Sequence, residues 1–176
     1  MNTRSPVLLR RLLPGDEAAF LQGVLDWEGE DLSWHSFEYK PGMPFADLLQ
    51  ILADVEAGRN LLPDRVPATM LYGFVADKIV GRVSIRHHLN DHLLKLGGHI
   101  GWAVAPAFRR HGYATAMVFQ ALPVMRELGI NRALITCSDS NVASQRIIAK
   151  LDGKLENTVF DEGLQRYTQR YWASLE

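Results

Sequence analysis

Between the strand-like run "HIGWAV" and a long apolar helical pattern, residues 108–117 read "FRRHGYATAM". A helix that begins here presents backbone N–H groups with no intrahelical acceptor, and its dipole places about half a positive charge at that end. Such an end receives a phosphate. Gly112 has no side chain to hold a ligand oxygen away from the backbone, Ala114 is nearly as small, and Arg109, Arg110 and His111 add local positive charge. The plainer reading is an ordinary strand-to-helix turn with solvated arginines, and the stretch by itself leaves both open. Two better-known phosphate motifs are missing: there is no G-x-x-x-x-G-K-[ST], and no G-x-G-x-x-G with an acidic residue on a following strand.

Several elements must position that turn. Upstream, "TMLYGFVA", a tight turn at Asp77 and Lys78, and "IVGRVSIRH" predict a hairpin from two β-branched or aromatic runs, and "LNDHLLKLGG" leads into "HIGWAV", which ends at Pro106. Downstream, Ala114, Met117, Val118, Ala121, Leu122, Met125 and Leu128 share a helical face; Pro123 is expected to bend that helix or tighten a late turn, and Gly129 to end it. "ALITC" predicts a buried strand, "NVASQRIIAKL" a helix, and "KLENTVF" with "QRYTQRYW" a closing hairpin. At the start, "VLLRRLLPGD" predicts a short strand and turn, with Asp16 capping a helix that carries Phe20, Val24 and Trp27. Phe45, Leu48, Leu49 and Leu52 predict a second helix stopped near Gly58, and the intervening "EGEDLSWHSFEYKPGMP" an exposed loop. The order of elements predicts a mixed α/β sheet in one domain.

Composition agrees with one soluble globular domain: 176 residues, 47% hydrophobic and 22% charged, with a formal net charge of -1. That balance provides no overall field for nucleic acid or an acidic membrane, so anion recognition has to be local. One cysteine, Cys137, excludes an intrachain disulfide and a multi-cysteine zinc site. "MNTRSPVLLRRLLPGDE" has no apolar run long enough for a signal peptide or membrane span, and none follows, so a cytoplasmic protein is expected.

The stretch "VAPAFRRHGYAT" resembles the signature of the GNAT acyltransferase superfamily, a Val-rich strand followed by [QR]-x-x-G-x-[GA], here Arg109, Gly112 and Ala114. "NVASQRIIAKLDGKLEN" is similar to the later N-x-x-S helix of that family, with Asn141 and Ser144 at the matching positions. The likeness extends over roughly residues 66–173 and looks like a subgroup of predicted bacterial acetyltransferases. It implies a GNAT-like acyl-CoA N-acyltransferase fold, α/β, with a mostly antiparallel mixed sheet flanked by helices. On this reading residues 1–176 form a single GNAT domain, with 1–65 as acceptor side and 66–176 as cofactor-binding core and C-terminal hairpin. The resemblance further implies acetyl-CoA as acyl donor. Its pyrophosphate would be held by the amides of Arg110, His111, Gly112, Tyr113, Ala114 and Thr115, and its thioester by the backbone of Trp102, Ala103 and Val104, freed by a strand bulge.

Acetyl transfer to an amine requires removal of a proton from a group with a pKa near ~10.4, and a proton for the departing thiolate. His99 alternates onto the face of Gly101 and Ala103, where many relatives carry an acidic residue; it is either the base or a strand-edge histidine with a structural hydrogen bond. Asp139 faces the expected cleft, or orients the turn before Asn141. Many members of the family place a tyrosine acid six residues after the motif asparagine, and here that position is Ile147, leaving Tyr113, Tyr167, Tyr171 or water as proton sources. Cys137, in an apolar strand, reads as a buried thiol and not as an acyl carrier. His87, His88, Asp91 and His92 have no metal-ligand spacing, and no metal is expected.

The resulting expectation is an acetyl-CoA-dependent N-acetyltransferase acting by direct transfer on a primary amine of a small molecule or peptide, with His99, Asp139 and Tyr171 as candidate catalytic groups. The acceptor groove is expected from the first two helices, the loop from Glu28 to Pro44 and the C-terminal hairpin, with Asp26, Glu28, Glu30 and Asp31 placed to attract a cation. A non-catalytic acyl-CoA-binding or regulatory module is the alternative, favoured by Ile147. Neither nucleic acid nor membrane is an expected partner, and a homodimer is left open.

Overall fold

Apolar residues at helical spacing fold as expected at both N-terminal helices: α1 spans Glu17–Asp26 and α2 spans Phe45–Glu56, the latter ending just before Gly58 at φ +70°. The computed structural model describes residues 6–176; the first five, part of the stretch read above for a leader, lie outside the described residues. Asp16 stands at the N-cap position of α1, yet its carboxylate does not cap that helix. It accepts the Leu13 N–H at 2.7 Å and grips Arg10 at 2.6 and 2.9 Å, closing a 3-10 turn at Pro14–Asp16.

The remaining elements are strands β1 (Leu8–Arg10), β2 (Ala68–Val75), β3 (Lys78–Arg86), β4 (Ile100–Val104), β5 (Arg132–Ser138), β6 (Lys154–Asp161) and β7 (Arg166–Ser174), with helices α3 (Tyr113–Glu127) and α4 (Val142–Lys150). Pro123 lies inside α3, as the sequence requires. In place of one mixed sheet there are two, ordered β1-β2-β3-β4 and β5-β7-β6. The chain divides into two compact units. The first holds Met1–Leu61, Pro67–Ser84 and Trp102–Ala121; the second holds Leu62–Val66, Ile85–Gly101 and Leu122–Glu176.

In the first unit, β1 pairs antiparallel with β2, Leu9 opposite Gly73, and the two-residue connection from β2 to β3 permits only a hairpin. Phe20 of α1, Phe45 and Leu48 of α2, and Leu12, Tyr72, Phe74 and Ile79 form a continuous buried cluster. On β2 and β3 the glycines have a packing purpose: a Cβ at Gly73 or at Gly81 would fall within 3 Å of Met117 of α3, so their absence lets that side chain seat on the strands. The 28–44 segment is less exposed than expected, because His35 and Ser36 are buried. Gly23 of α1 leaves room for the His35 ring, whose Nε2 lies 3.1 Å from the Phe20 carbonyl, tying the segment to α1.

Burial, aided by the Arg82 cation, pushes the His35 imidazole down to about 4. Once the chain unfolds the ring titrates near ~6.5, so between the two values the unfolded state binds more protons than the folded one. Stability is expected to fall by about 3 kcal/mol as pH drops from 7 to 4 through this group, and to be insensitive to it above pH ~7. Urea unfolding at pH 5 and pH 7 checks this; His35→Asn should flatten that part of the profile.

In the second unit, β7 is the central strand, antiparallel to β5 with Ile135 opposite Tyr171 and to β6 with Phe160 opposite Tyr167; a register shift falls at Leu155/Asn157. His99 N–H donates to the Leu134 carbonyl at 2.8 Å, but the return donor, Leu134 N–H, goes to His99 Nδ1 at 2.9 Å. A side chain thus takes the place that a strand carbonyl would fill, and pairing of this chain segment with β5 stops there instead of growing into one sheet. Gly98, at φ +68° and with its Cβ position 2.6 Å from the Leu134 carbonyl oxygen, permits that approach.

Candidate active site

β4 runs into a 3-10 turn at Pro106–Phe108, and the chain then reverses through two left-handed residues, Arg110 at φ 65° and Gly112 at φ 84°, before α3. The first α3 bond runs from Ala116 N–H to the Gly112 carbonyl at 3.1 Å, so the amides of Tyr113, Ala114 and Thr115 precede the intrahelical ladder. Left-handed residues in such a turn aim successive N–H groups toward one side, the geometry of an anion nest. A methyl group on Gly112 would meet no heavy atom within 4 Å, so open space lies above the turn on that side. The turn therefore has the room and the donors that a pyrophosphate requires.

The basic side chains divide the labour differently from the sequence expectation. Arg109 does not lend its charge to the turn: its Nη1 and Nη2 bind the Glu30 carboxylate at 2.8 and 2.6 Å, its Nε donates to the Val104 carbonyl at 3.0 Å, and its Cζ lies 5.8 Å from the Trp27 ring centroid. The Arg109 guanidinium holds the Glu30 carboxyl below the usual glutamate range. His111 folds back on its own turn, Nδ1 2.6 Å from the Arg109 carbonyl, with its ring stacked 5.7 Å from that of Tyr113. Arg110 is exposed at the turn.

β4 is the last strand of its sheet, so the N–H and C=O groups of its outer edge lack a strand partner there. The resemblance implies a bulge in this strand, but β3 and β4 take the same number of steps from Val80 to Arg86 and from His99 to Ala105 between their bonds, so β4 carries no net extra residue against β3. Edge position, not a bulge, is what leaves Trp102 and Val104 with outward backbone groups to offer, whereas Ala103, opposite Arg82 in this register, turns its own toward β3. Of the four acids expected to draw a cation, Glu30 is taken by Arg109, Asp31 accepts the Ser33 N–H at 2.9 Å, and Asp26 accepts Gln22 Nε2 at 3.2 Å; Glu28 is exposed. The same segment is held to β3 by Arg82, fully buried, whose Nε donates to the Trp34 carbonyl at 2.9 Å and whose Cζ sits 4.0 Å above the Phe37 ring.

The other candidates belong to the second unit. His99 is half-buried, and burial, then the Arg86 cation, lower its pKa. With Nδ1 accepting from Leu134, the ring proton is assigned to Nε2, and neither nitrogen is left to take a proton. Asp139 is exposed; its N–H donates to the Tyr167 carbonyl at 3.1 Å and its carbonyl accepts Gln145 Nε2 at 2.7 Å, contacts that orient the entry to α4. Asn141 caps α4 by accepting the Ser144 N–H at 3.0 Å, and Ile147 is buried on that helix. The Tyr171 hydroxyl donates to Gln169 Oε1 at 2.6 Å, and burial, with Cys137 nearby, raises its pKa. Burial, then Asp139, pushes the Cys137 thiol up to about 11, which keeps it protonated and inert at neutral pH. Among the described residues no group of three or more His, Cys, Asp or Glu is arranged to hold a metal ion.

A family model described as the acetyltransferase (GNAT) domain matches residues 7–154. The chain belongs to the GNAT acetyltransferase family. One curated relative, the uncharacterized N-acetyltransferase YnaD of Bacillus subtilis, is 24% identical over 104 residues. That match covers 57% of this chain and spans only 59% of the relative's length. The fold matches the crystal structure of a Salmonella typhimurium acetyltransferase that modifies the N-terminal serine of a 50S ribosomal subunit protein, with TM-score 0.66, 16% identity, and 97% and 96% of the two chains covered. It also matches yncA of Salmonella typhimurium, solved with its cofactor acetyl-CoA, with TM-score 0.63, 13% identity, and 97% and 94% covered. The GNAT signature residues thus fall on a left-handed turn and helix start. Sequence reasoning missed the partners of Arg109 and Arg82, because Glu30 lies 79 residues from Arg109 and Trp34 lies 48 from Arg82, beyond any local spacing.

Proposed function

We propose that this chain is a cytoplasmic acetyl-CoA-dependent N-acetyltransferase that moves an acetyl group directly to an amine, and that residues 1–176 act as one GNAT domain with 1–65 as its acceptor side. The observation that carries the reading is the turn at Arg110 and Gly112, left-handed at both residues and open above Gly112, leading into the free amides of α3. Acetyl-CoA, when bound, supplies the activated acetyl thioester. The amides from Arg110 to Thr115 receive its pyrophosphate, Arg110 adds charge, and Arg109 holds the turn's shape by clamping Val104 and Glu30. The outward amides of Trp102 and Val104, on either side of Ala103, meet the negative charge that develops on the carbonyl oxygen. Among the described residues, no helix is long and apolar enough to cross a membrane.

For proton movement, Tyr171 stays protonated at neutral pH and serves as the proton source, with Gln169 orienting its hydroxyl. Asn141 and Ser144 set the start of α4, and Asp139 orients the turn before it. His99 acts as a strand-terminating hydrogen-bond acceptor and not as base. His99→Ala should lower stability by about 1–3 kcal/mol by orphaning the fully buried Leu134 amide. His99→Asn, which keeps an acceptor, should retain kcat within about tenfold, whereas loss of a general base costs roughly 10²–10⁴-fold. Steady-state kinetics and urea unfolding of the two variants decide between these roles.

Ile147 favours the second reading, a module that binds acyl-CoA without transfer. Thiol release from acetyl-CoA across polyamines, amino acids, aminoglycosides and peptides separates the two: acceptor-dependent thiol release establishes the enzyme, and tight acetyl-CoA binding with no release for any acceptor contradicts it.

A further inference from the structure

Two arginines of β3, Arg82 and Arg86, are withdrawn from water in very different ways. Arg82 is provided for, with carbonyl acceptors at Trp34 and Ser33 and the Phe37 ring beneath its guanidinium. At the end of the strand, Arg86 Nη1 is buried and makes no hydrogen bond, and the charged neighbour that acts on it is another cation, Arg65. Burial pushes the Arg86 guanidinium down to about 10, the direction expected of a cation with no counterion. A buried donor without an acceptor costs free energy, and a buried charge without a partner costs more.

The position of this guanidinium is set by the backbone. Arg86 N–H donates to the His99 carbonyl at 2.7 Å, which puts the two residues opposite each other on one face of the β3–β4 pair. Gly101 follows on the same face of β4, and the guanidinium lies over it: a Cβ there would stand 3.1 Å from Nη1, 3.6 Å from Nη2 and 3.7 Å from Cζ of Arg86. Glycine thus reserves the space for a cation to which no anion among the described residues is paired. Arg86 as a whole keeps partial exposure, although its Nη1 is buried.

We infer that Arg86 receives the carboxylate of the acceptor, so that the amine acetylated by this chain carries a carboxylate, as amino acids and short peptides do. This rests on the acetyltransferase reading, because Gly101 directly precedes Trp102, Ala103 and Val104 in β4. A guanidinium in this setting binds a carboxylate through charge-assisted hydrogen bonds, and a decarboxylated amine leaves it unpaired.

The test uses amines that differ only in the carboxylate: lysine against cadaverine, phenylalanine against phenethylamine, tryptophan against tryptamine. Thiol release is measured for wild type, Arg86→Lys and Arg86→Met, and thermal melting is recorded with each amine and with acetyl-CoA. The carboxylated member of each pair is expected to show kcat/KM higher by roughly 10- to 100-fold, a preference that Arg86→Met removes and Arg86→Lys partly keeps. In melting, the carboxylated member should stabilise wild type more than its partner, and this difference should vanish in Arg86→Met. Equal or better use of the decarboxylated amines, a preference that survives Arg86→Met, or stabilisation by inorganic phosphate matching that by the amino acids overturns the inference. So does the absence of any Arg86-dependent carboxylate effect in both turnover and melting. Failure of the acetyltransferase reading looks different: wild-type melting does not respond to acetyl-CoA, or it responds and no amine, carboxylated or not, releases thiol.

Discussion

Gly112→Val abolishes acetyl-CoA binding, with an expected loss of at least roughly 100-fold, while the protein still folds. Two effects add. The residue sits at φ 84°, where a β-branched side chain is strained, so the turn that aims the amides of α3 is distorted. The new side chain also projects into the open space above Gly112, the space a pyrophosphate must occupy if those amides are its donors. Charge-assisted bonds to a phosphate are worth roughly 1.5–3 kcal/mol each, so losing two or more accounts for the factor. Arg110→Ala should weaken binding by only a few-fold, because an exposed arginine contributes charge without holding the turn. Isothermal titration of acetyl-CoA into both variants checks the pair; normal binding by both would mean that the loop is a turn and nothing more.

The second large effect lies beneath the site. A Cβ at Gly81 of β3 would fall 2.3 Å from the Ala103 carbonyl oxygen, 2.9 Å from Met117 Cε and 3.1 Å from Val104 Cα. Methionine can yield, but the backbone of the neighbouring strand cannot yield without moving the edge groups proposed to hold the thioester. Gly81→Ala is therefore expected to cost about 3–4 kcal/mol of stability and to weaken acetyl-CoA binding in whatever fraction remains folded. Gly15→Ala is the control: no heavy atom lies within 4 Å of its Cβ position, and its stability should stay within about 0.5 kcal/mol of wild type. Urea unfolding of the two variants measures the contrast.

Much of this fold is legible in the residues because its elements are amphipathic and punctuated. Phe20 and Val24, Leu48 and Leu52, and Met117 and Ala121 repeat at helical spacing, and Gly58 and Gly129, both at positive φ, follow α2 and α3. What was not legible depends on contacts distant in sequence. The sheet divides in two, and where it does the His99 ring, and not a strand carbonyl, receives the Leu134 amide; nothing in an alternating strand pattern announces that a side chain will take that place. The 28–44 segment reads as polar loop, yet His35 is buried because Gly23 makes room for its ring and Phe20 offers a carbonyl. The candidate site divides likewise. Gly112, with the helix start behind it, could be read from type and spacing, whereas the engagement of Arg109 by Glu30 and the solitary state of the Arg86 Nη1 could not.

The central claim is that the turn at Gly112 is a cofactor cradle, and thermal melting with increasing acetyl-CoA tests it most directly. A ligand that binds only the folded protein stabilises it by about 2.7 kcal/mol at a hundred times its Kd. The account predicts a wild-type Tm that climbs steadily with the logarithm of acetyl-CoA concentration and a Gly112→Val Tm that does not move. A wild-type Tm indifferent to acetyl-CoA, or the same climb in both proteins, would contradict it.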